Sequence, residues 1–232
     1  MATLEIHHRV PREDIAFGVV LALGVRGTEA PAALAEALDE AVAERAAGDL
    51  EERLEANRKA ARDILRNGRY KPTGRGKPAS EYLLRTAASG EFPRINGPVD
   101  ANNLVSLSTL LPISVWDLDR AGSDHFELRL GAAEERYVFN SAGQSLDLED
   151  LVCGCALDAD GTSRPIVTPI KDGMATKILP ETARAGGVIY APAADAHNIT
   201  EATASLAEWL GRCGDEVSVS SGVLRHGETL TL

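Results

Sequence analysis

The stretch from Phe92 to Asp119 constrains this chain more than any other, because a rigid polar loop runs straight into an apolar helix that cannot continue past Pro112. Asn96 and Pro98 lead to Asp100, whose carboxylate is placed to cap a helix carrying Leu104, Val105 and Leu107 inward. Asn102 and Asn103 then fall in the first helical turn. Amides are poor helix formers and costly to bury, so these two are solvated, bonded to the backbone, or aimed at a ligand.

The rest of the chain sorts into helices first and strands after. Residues 17–26 read as a central strand. A helix starting at Thr28 to Pro31 repeats Leu34, Leu38 and Val42 and ends at Gly48, and a second buries Leu54, Ala61, Ile64 and Leu65 before Asn67-Gly68. Residues 70–78, with Pro72, Gly74, Gly76 and Pro78, must be a loop, and residues 79–88 a short helix closed by Gly90. Beyond Trp116, residues 125–130, 136–140, 151–157, 164–170 and 187–191 are β-type runs between Gly, Asp and Ser turns. Asn198 and Glu201 resemble a capping box for a last helix with Ala202, Leu206, Trp209, Leu210 and Cys213 on one stripe, and residues 217–224 read as a hairpin. The expected fold is α+β, an antiparallel, sandwich-like β core flanked by helices. It reads as one domain over 1–232, helical and basic over 1–91, with the pocket and β-rich core over 92–232.

Cys153, Cys155 and Cys213 are an odd set in apolar surroundings, and His7, His8, His125, His197 and His226 are scattered without ligand spacing. Zinc needs four suitably spaced ligands, so the thiols read as reduced core residues, and neither a metal nor a cofactor is expected. Residues 15–25 are too short an apolar run to span a bilayer and follow Glu13 and Asp14, so no membrane association and a reducing cytoplasmic location are expected. The net charge of −11 argues against indiscriminate polyanion binding, DNA included. Yet residues 53–94 hold eleven basic side chains against four acidic ones, a local +7 that leaves −18 elsewhere. That run is either a solvated helix face with an exposed loop or a patch that contacts phosphates.

Several motifs in order carry a resemblance. Ile95-Asn96, Val99-Asp100, Asn103, Val105, Leu111-Pro112 and Asp117-Leu118-Asp119, followed by Thr176 and Pro180-Glu181-Thr182, resemble the tRNA-editing domain inside the β subunit of phenylalanyl-tRNA synthetase. They are still more similar to its free-standing relatives, which Tyr70-Lys71-Pro72 and Tyr82-Leu83-Leu84 also match, so the similarity covers most of residues 15–225. The resemblance implies a β-rich core, tRNA or aminoacyl-tRNA as partner, and a pocket that hydrolyses the ester of a wrong amino acid. Position by position, Asn103 matches a pocket amide and Asn96 the preceding loop amide. Ser114 stands where the embedded domains usually have a histidine, so a general base is missing there.

Hydrolysis of an activated ester needs a positioned water and donors near the oxyanion. Asn102, Asn103, Thr176 and Lys177 are candidate donors, Glu181 is the best-matched carboxylate, and Asn103, Ser114 and Glu181 form the candidate catalytic set. Glu181 equally reads as a turn acid that satisfies backbone groups. Arg69, Lys71, Arg75, Lys77 and Arg94 are the candidate RNA contacts. No aminoacylation module and no P-loop is present, since Gly74-Arg75-Gly76-Lys77 lacks the spacing. The competing expectation is a non-catalytic pocket for an amino-acid-like metabolite or a protein partner, without RNA.

Overall fold

Alternation along a few strands builds two sheets with a shared apolar interior. The structure, a computed structural model, describes residues 3–48 and 50–232. Its elements are β1 (Glu5–His8), β2 (Ile15–Leu23), α1 (Ala32–Ala46), α2 (Glu52–Ile64), α3 (Ala79–Ser89), α4 (Gly97–Thr109), β3 (Ile113–Asp117), α5 (Leu118–Ala121), β4 (His125–Leu130), β5 (Arg136–Val138), β6 (Ser145–Asp147), β7 (Val152–Leu157), β8 (Ser163–Val167), β9 (Arg184–Pro192), α6 (Ala196–Gly211), β10 (Ser218–Leu224) and β11 (Thr229–Thr231). One sheet runs β10-β2-β9-β3, the other β11-β1-β4-β7-β8, and β5 and β6 form a separate hairpin. Every named strand pairing is antiparallel except β1 with β4. The fold is α+β, as the residue pattern predicts.

Successive strand residues face opposite sides, and here both sides are covered. On β2, Ile15, Phe17, Val19 and Leu21 enter the layer between the sheets, meeting Phe126, Leu128, Val152 and Val167. Ala16, Val20 and Ala22 face instead the layer of α1, α3, α4 and α6. The same division splits β9: Val188 and Tyr190 go between the sheets, Ala185, Ile189 and Ala191 to the helices. Two glycines permit the closest approaches. A Cβ on Gly18 would lie 2.0 Å from Thr203 Oγ1 of α6, and one on Gly186 would lie 2.4 Å from the Trp116 ring. A smaller apolar cluster of Leu65, Leu148, Leu151, Cys153, Cys155 and Ile170 backs the second sheet.

Four local expectations are corrected. The helix of the 92–119 stretch is capped by Asn96, not Asp100. The last helix is capped by Asp195, whose carboxylate accepts from Asn198 N at 3.1 Å, while Asn198 itself is buried and donates to Asn57 Oδ1 at 3.1 Å. A capping box needs Asn198 at the cap, and two helical residues, Ala196 and His197, already precede it. Residues 218–224 make one strand along Phe17 to Leu23 of β2 instead of a hairpin, because every position from Ser218 to Leu224 finds a partner there. Trp209 is half-buried, with Arg212 stacked 4.7 Å from its ring. Cys153, Cys155 and Cys213 are free and buried, and burial pushes the Cys155 and Cys213 thiols up to about 12, so they are held as unreactive thiols. Among the described residues, no helix is long and apolar enough to cross a membrane.

Candidate functional site

The polar loop before α4 is held by two side chains that divide the work of a cap. Asn96 Oδ1 accepts from Val99 N at 3.1 Å, with Pro98 in the first turn, where a missing N–H costs nothing. Asp100, one turn in, reaches back to Ile95 N at 3.0 Å. Burial raises the Asp100 carboxyl, and the Ile95 amide and Arg94 offset part of that rise. With the cap at Asn96, Asn102 and Asn103 move to the second turn. Asn96→Ala should therefore cost about 1 kcal/mol in urea unfolding, whereas an unchanged midpoint would contradict its role as cap.

The α4 amides meet the edge of β3. Oriented to satisfy both its ends, the Asn102 amide donates to Ile113 O at 3.0 Å, beside the buried Asn103. The next residue, Ser114, is sealed from solvent, and its Oγ lies 3.2 Å from both Thr168 O and the Tyr190 hydroxyl. Thr168 ends β8 in a tight turn, its Oγ1 donating to Lys171 O at 2.9 Å. Tyr137 of β5 closes the turn from outside, its hydroxyl donating to Lys171 O at 2.5 Å and lying 3.1 Å from Thr168 Oγ1.

This turn delivers a group that sequence reasoning missed. Asp172 projects its carboxyl in beside Ser114, Tyr137 and Tyr190, and Oδ1 is shut off from solvent with no hydrogen-bond donor. Burial raises its pKa to about 7, and the Ser114 hydroxyl, the Thr168 and Val115 backbone and Lys177 pull back only in part. The two tyrosines are pushed well above the usual phenol range by burial first and this carboxylate second. Thr176 follows in a one-turn 3₁₀ segment, Met174–Thr176, and its Oγ1 is also buried without a partner. Tyr137, Gly173 and Thr176 border a hollow of about 470 Å³.

Of the predicted set, then, Ser114 and Lys177 act on Asp172, Thr176 borders the hollow, and Asn102 and Asn103 lie at the adjoining β3 edge. Asn96 is occupied as a cap. Glu181 is exposed on the turn where Thr182 N bonds to Leu179 O, and the buried carboxylate of that turn is Asp117, which accepts from Thr182 Oγ1 at 2.5 Å. A larger hollow of about 850 Å³ at the β1–β4 edge contains none of the predicted residues. Its charges are already paired: Glu5 lies between His7 and His125, Arg184 binds Asp119 and Asp124, and Asp158 meets Arg164 from outside the hollow.

The basic run divides in the same way. Arg69 pairs with Glu149 and Asp147, Arg94 with Asp39, Arg62 with Glu81, Arg58 with Glu55, and Arg53 with Glu201. Lys71, Arg75 and Lys77 are exposed and form no ion pair among the described residues. Their loop is fastened at both ends, with the Tyr70 hydroxyl donating to Gly76 O at 3.0 Å and Ala79 N donating to Pro169 O at 2.8 Å. The second anchor belongs to the Thr168–Lys171 turn, and Arg75 is near enough to depress Lys171, whose own burial depresses it more.

No family model and no curated protein matches this chain. Among solved structures it is similar to the crystal structure of an N-terminal fragment of the phenylalanyl-tRNA synthetase β subunit from Pyrococcus horikoshii, at 12% identity and a TM-score of 0.41. The likeness covers 52% of this chain and 40% of that one, so the chain spans less than half of the fragment and the relationship is a distant structural one.

Proposed function

We propose that this protein binds the acceptor end of an aminoacyl-tRNA, with Lys71, Arg75 and Lys77 on phosphates and the hollow bordered by Tyr137, Gly173 and Thr176 receiving the aminoacyl group, and that it hydrolyses mischarged esters in trans in the cytoplasm. One observation carries the reading: the loop holding these three free cations is fastened to the same turn that delivers Asp172. An otherwise acidic surface then favours one face for a polyanion. The motifs that resemble the editing domain agree with it, but Arg69 and Arg94, already neutralised, are left out of the RNA contacts.

Two measurements test this. In a gel shift with tRNA over a salt series, each phosphate contact contributes roughly −0.7 to −0.9 to the slope of log affinity against log salt. Replacing Lys71, Arg75 and Lys77 together by Ala should flatten the slope by about 2, while Arg69→Ala and Arg94→Ala leave it nearly unchanged. No shift by the parent protein at low salt would reject RNA as partner and favour a pocket for an amino-acid-like metabolite. Hydrolysis predicts release of free amino acid from some member of a panel of mischarged tRNAs, and inertness across the panel would remove the enzymatic claim.

A further inference from the structure

The hollow bordered by Tyr137, Gly173 and Thr176 differs from the larger one in its lining: Val138, Pro165, Ile166 and Met174 contribute apolar surface, and no carboxylate lines it. Gly173 shapes it from below. Its amide donates to Ile166 O at 2.8 Å, and a Cβ there would fall 2.8 Å from that same oxygen, so a side chain would push the segment away from β8. Val138 is one of three large apolar side chains left exposed among the described residues. A single such residue needs no explanation, but this one lines a concavity together with Met174, a flexible thioether that adapts to many shapes. Two arginines complete the lining. Arg164 is already committed, donating to Ala121 O at 2.7 Å and to Asp158 Oδ1 at 3.3 Å. Arg136 is exposed and forms no ion pair among the described residues, and its cross-strand neighbour Asp147 pairs with Arg69 instead.

An open apolar concavity beside one unpaired guanidinium suits a ligand with an apolar body and an adjacent anion. A cationic side chain entering it would lose water, find no carboxylate and meet two like charges. An acidic or amide side chain would set its polar atoms against Val138, Ile166 and Met174, which donate no hydrogen bond to them. In an aminoacyl-tRNA the anion is present whatever the amino acid, as the phosphate of the terminal nucleotide, one ribose away from the ester. We infer that the hollow selects an apolar amino-acid side chain, seated against Val138, Ile166 and Met174, and that Arg136 takes the terminal phosphate. This rests on the proposed function and names the class of substrate that the same site accepts. Hollow and cationic loop share one support: Tyr137, which lines the hollow, donates to Lys171 O, and Pro169 O of the same turn accepts from Ala79 N at the end of the loop that carries Lys71, Arg75 and Lys77.

The probes are a tRNA carrying its amino acid through a 3′-amide, which resists hydrolysis, prepared with leucine, methionine, phenylalanine, glutamate or lysine, and the same tRNA uncharged, each titrated with the intact protein. At least one apolar form should bind about ten- to a hundredfold more tightly than the uncharged tRNA, with no such gain for glutamate or lysine. Arg136→Ala should flatten the salt slope by about 1 for every probe and keep the apolar preference. Val138→Glu, a change at an exposed position, should remove the apolar gain and create one for lysine while the circular dichroism spectrum is unchanged. Equal binding of charged and uncharged tRNA, a gain for lysine or glutamate in the parent protein that matches the apolar one, or an unaltered preference in Val138→Glu overturns the inference and leaves the RNA reading standing. A salt slope that Arg136→Ala does not change overturns the phosphate contact. Failure of every tRNA to bind removes the proposed function itself, and this inference with it.

Discussion

Asp172→Asn is expected to raise the melting temperature by about 10 °C at pH 8 and to leave it almost unchanged at pH 4. The folded protein holds this carboxyl at about 7, against an ordinary value of 3.8. Between those two values the native state keeps a proton that the unfolded chain has released, so stability falls as pH rises through the window and this group adds nothing further above it. Holding the carboxyl that far above its ordinary value corresponds to about 4 kcal/mol, and a domain of this size gains or loses roughly 2–4 °C per kcal/mol. Other carboxyls run the opposite way. Arg12 holds Asp14 low and Arg129 holds Glu135 low, so their contributions are present at neutral pH and lost in acid. Comparing the parent with Asp172→Asn across the same buffers cancels those contributions. Parallel melting curves from pH 4 to pH 8 would show that the carboxyl is not buried as described.

Trp116→Ala should cost about 3–5 kcal/mol, a large share of the stability of an ordinary domain. Trp116 is among the largest fully enclosed side chains, its ring centroid 5.5 Å from that of Phe126 across the layer between the sheets. It also lies against Gly186, where no side chain can move in to refill the void. Its indole N–H has no acceptor, so the residue is retained for its volume and not for a hydrogen bond. Trp116→Phe should accordingly cost much less than the alanine change, since it removes an unsatisfied donor together with part of the ring. Equilibrium urea unfolding of both variants measures the difference. Equal losses for Phe and Ala would indicate that the N–H is bonded after all.

How far such features can be read from residues alone depends on whether their cause is local. The helix over 32–46 follows from Leu34 and Leu38 at helical spacing, and Gly90 stops α3 by taking the left-handed conformation that its sequence position suggests. Asn96 and Asp100 are harder to separate, because both are good caps and both do bond backbone amides. Pro98 supports the earlier start, since it fits only the first helical turn. Ser220-Ser221-Gly222 has turn composition, yet these residues continue an edge strand that a single neighbour aligns. The cationic run misleads for a different reason. Glu149, Asp147, Glu201 and Asp39, which neutralise it, come from segments far away in the chain.

The candidate site shows the same limit more sharply. Lys171-Asp172-Gly173 has the composition of a solvated surface turn. It is buried only because Ser114, Tyr137 and Tyr190, from three other strands, surround the carboxyl. Ser114 and Thr176 are legible through the motifs that contain them, but Asp172 has no motif of its own.

The pairing of β1 with β11 has a bearing on how the molecule is made. His7 and Thr229, which face each other across that ladder, stand 222 positions apart, and Leu4 and Leu232 exchange both of their backbone bonds. During synthesis β1 therefore waits, with one border bare, until β11, more than 220 residues further along, has left the ribosome. Contacts between positions so distant form slowly, and an exposed strand border is a template for mispairing. Refolding of the purified chain should consequently be limited by this last closure, and high concentration during that interval is where self-association would compete.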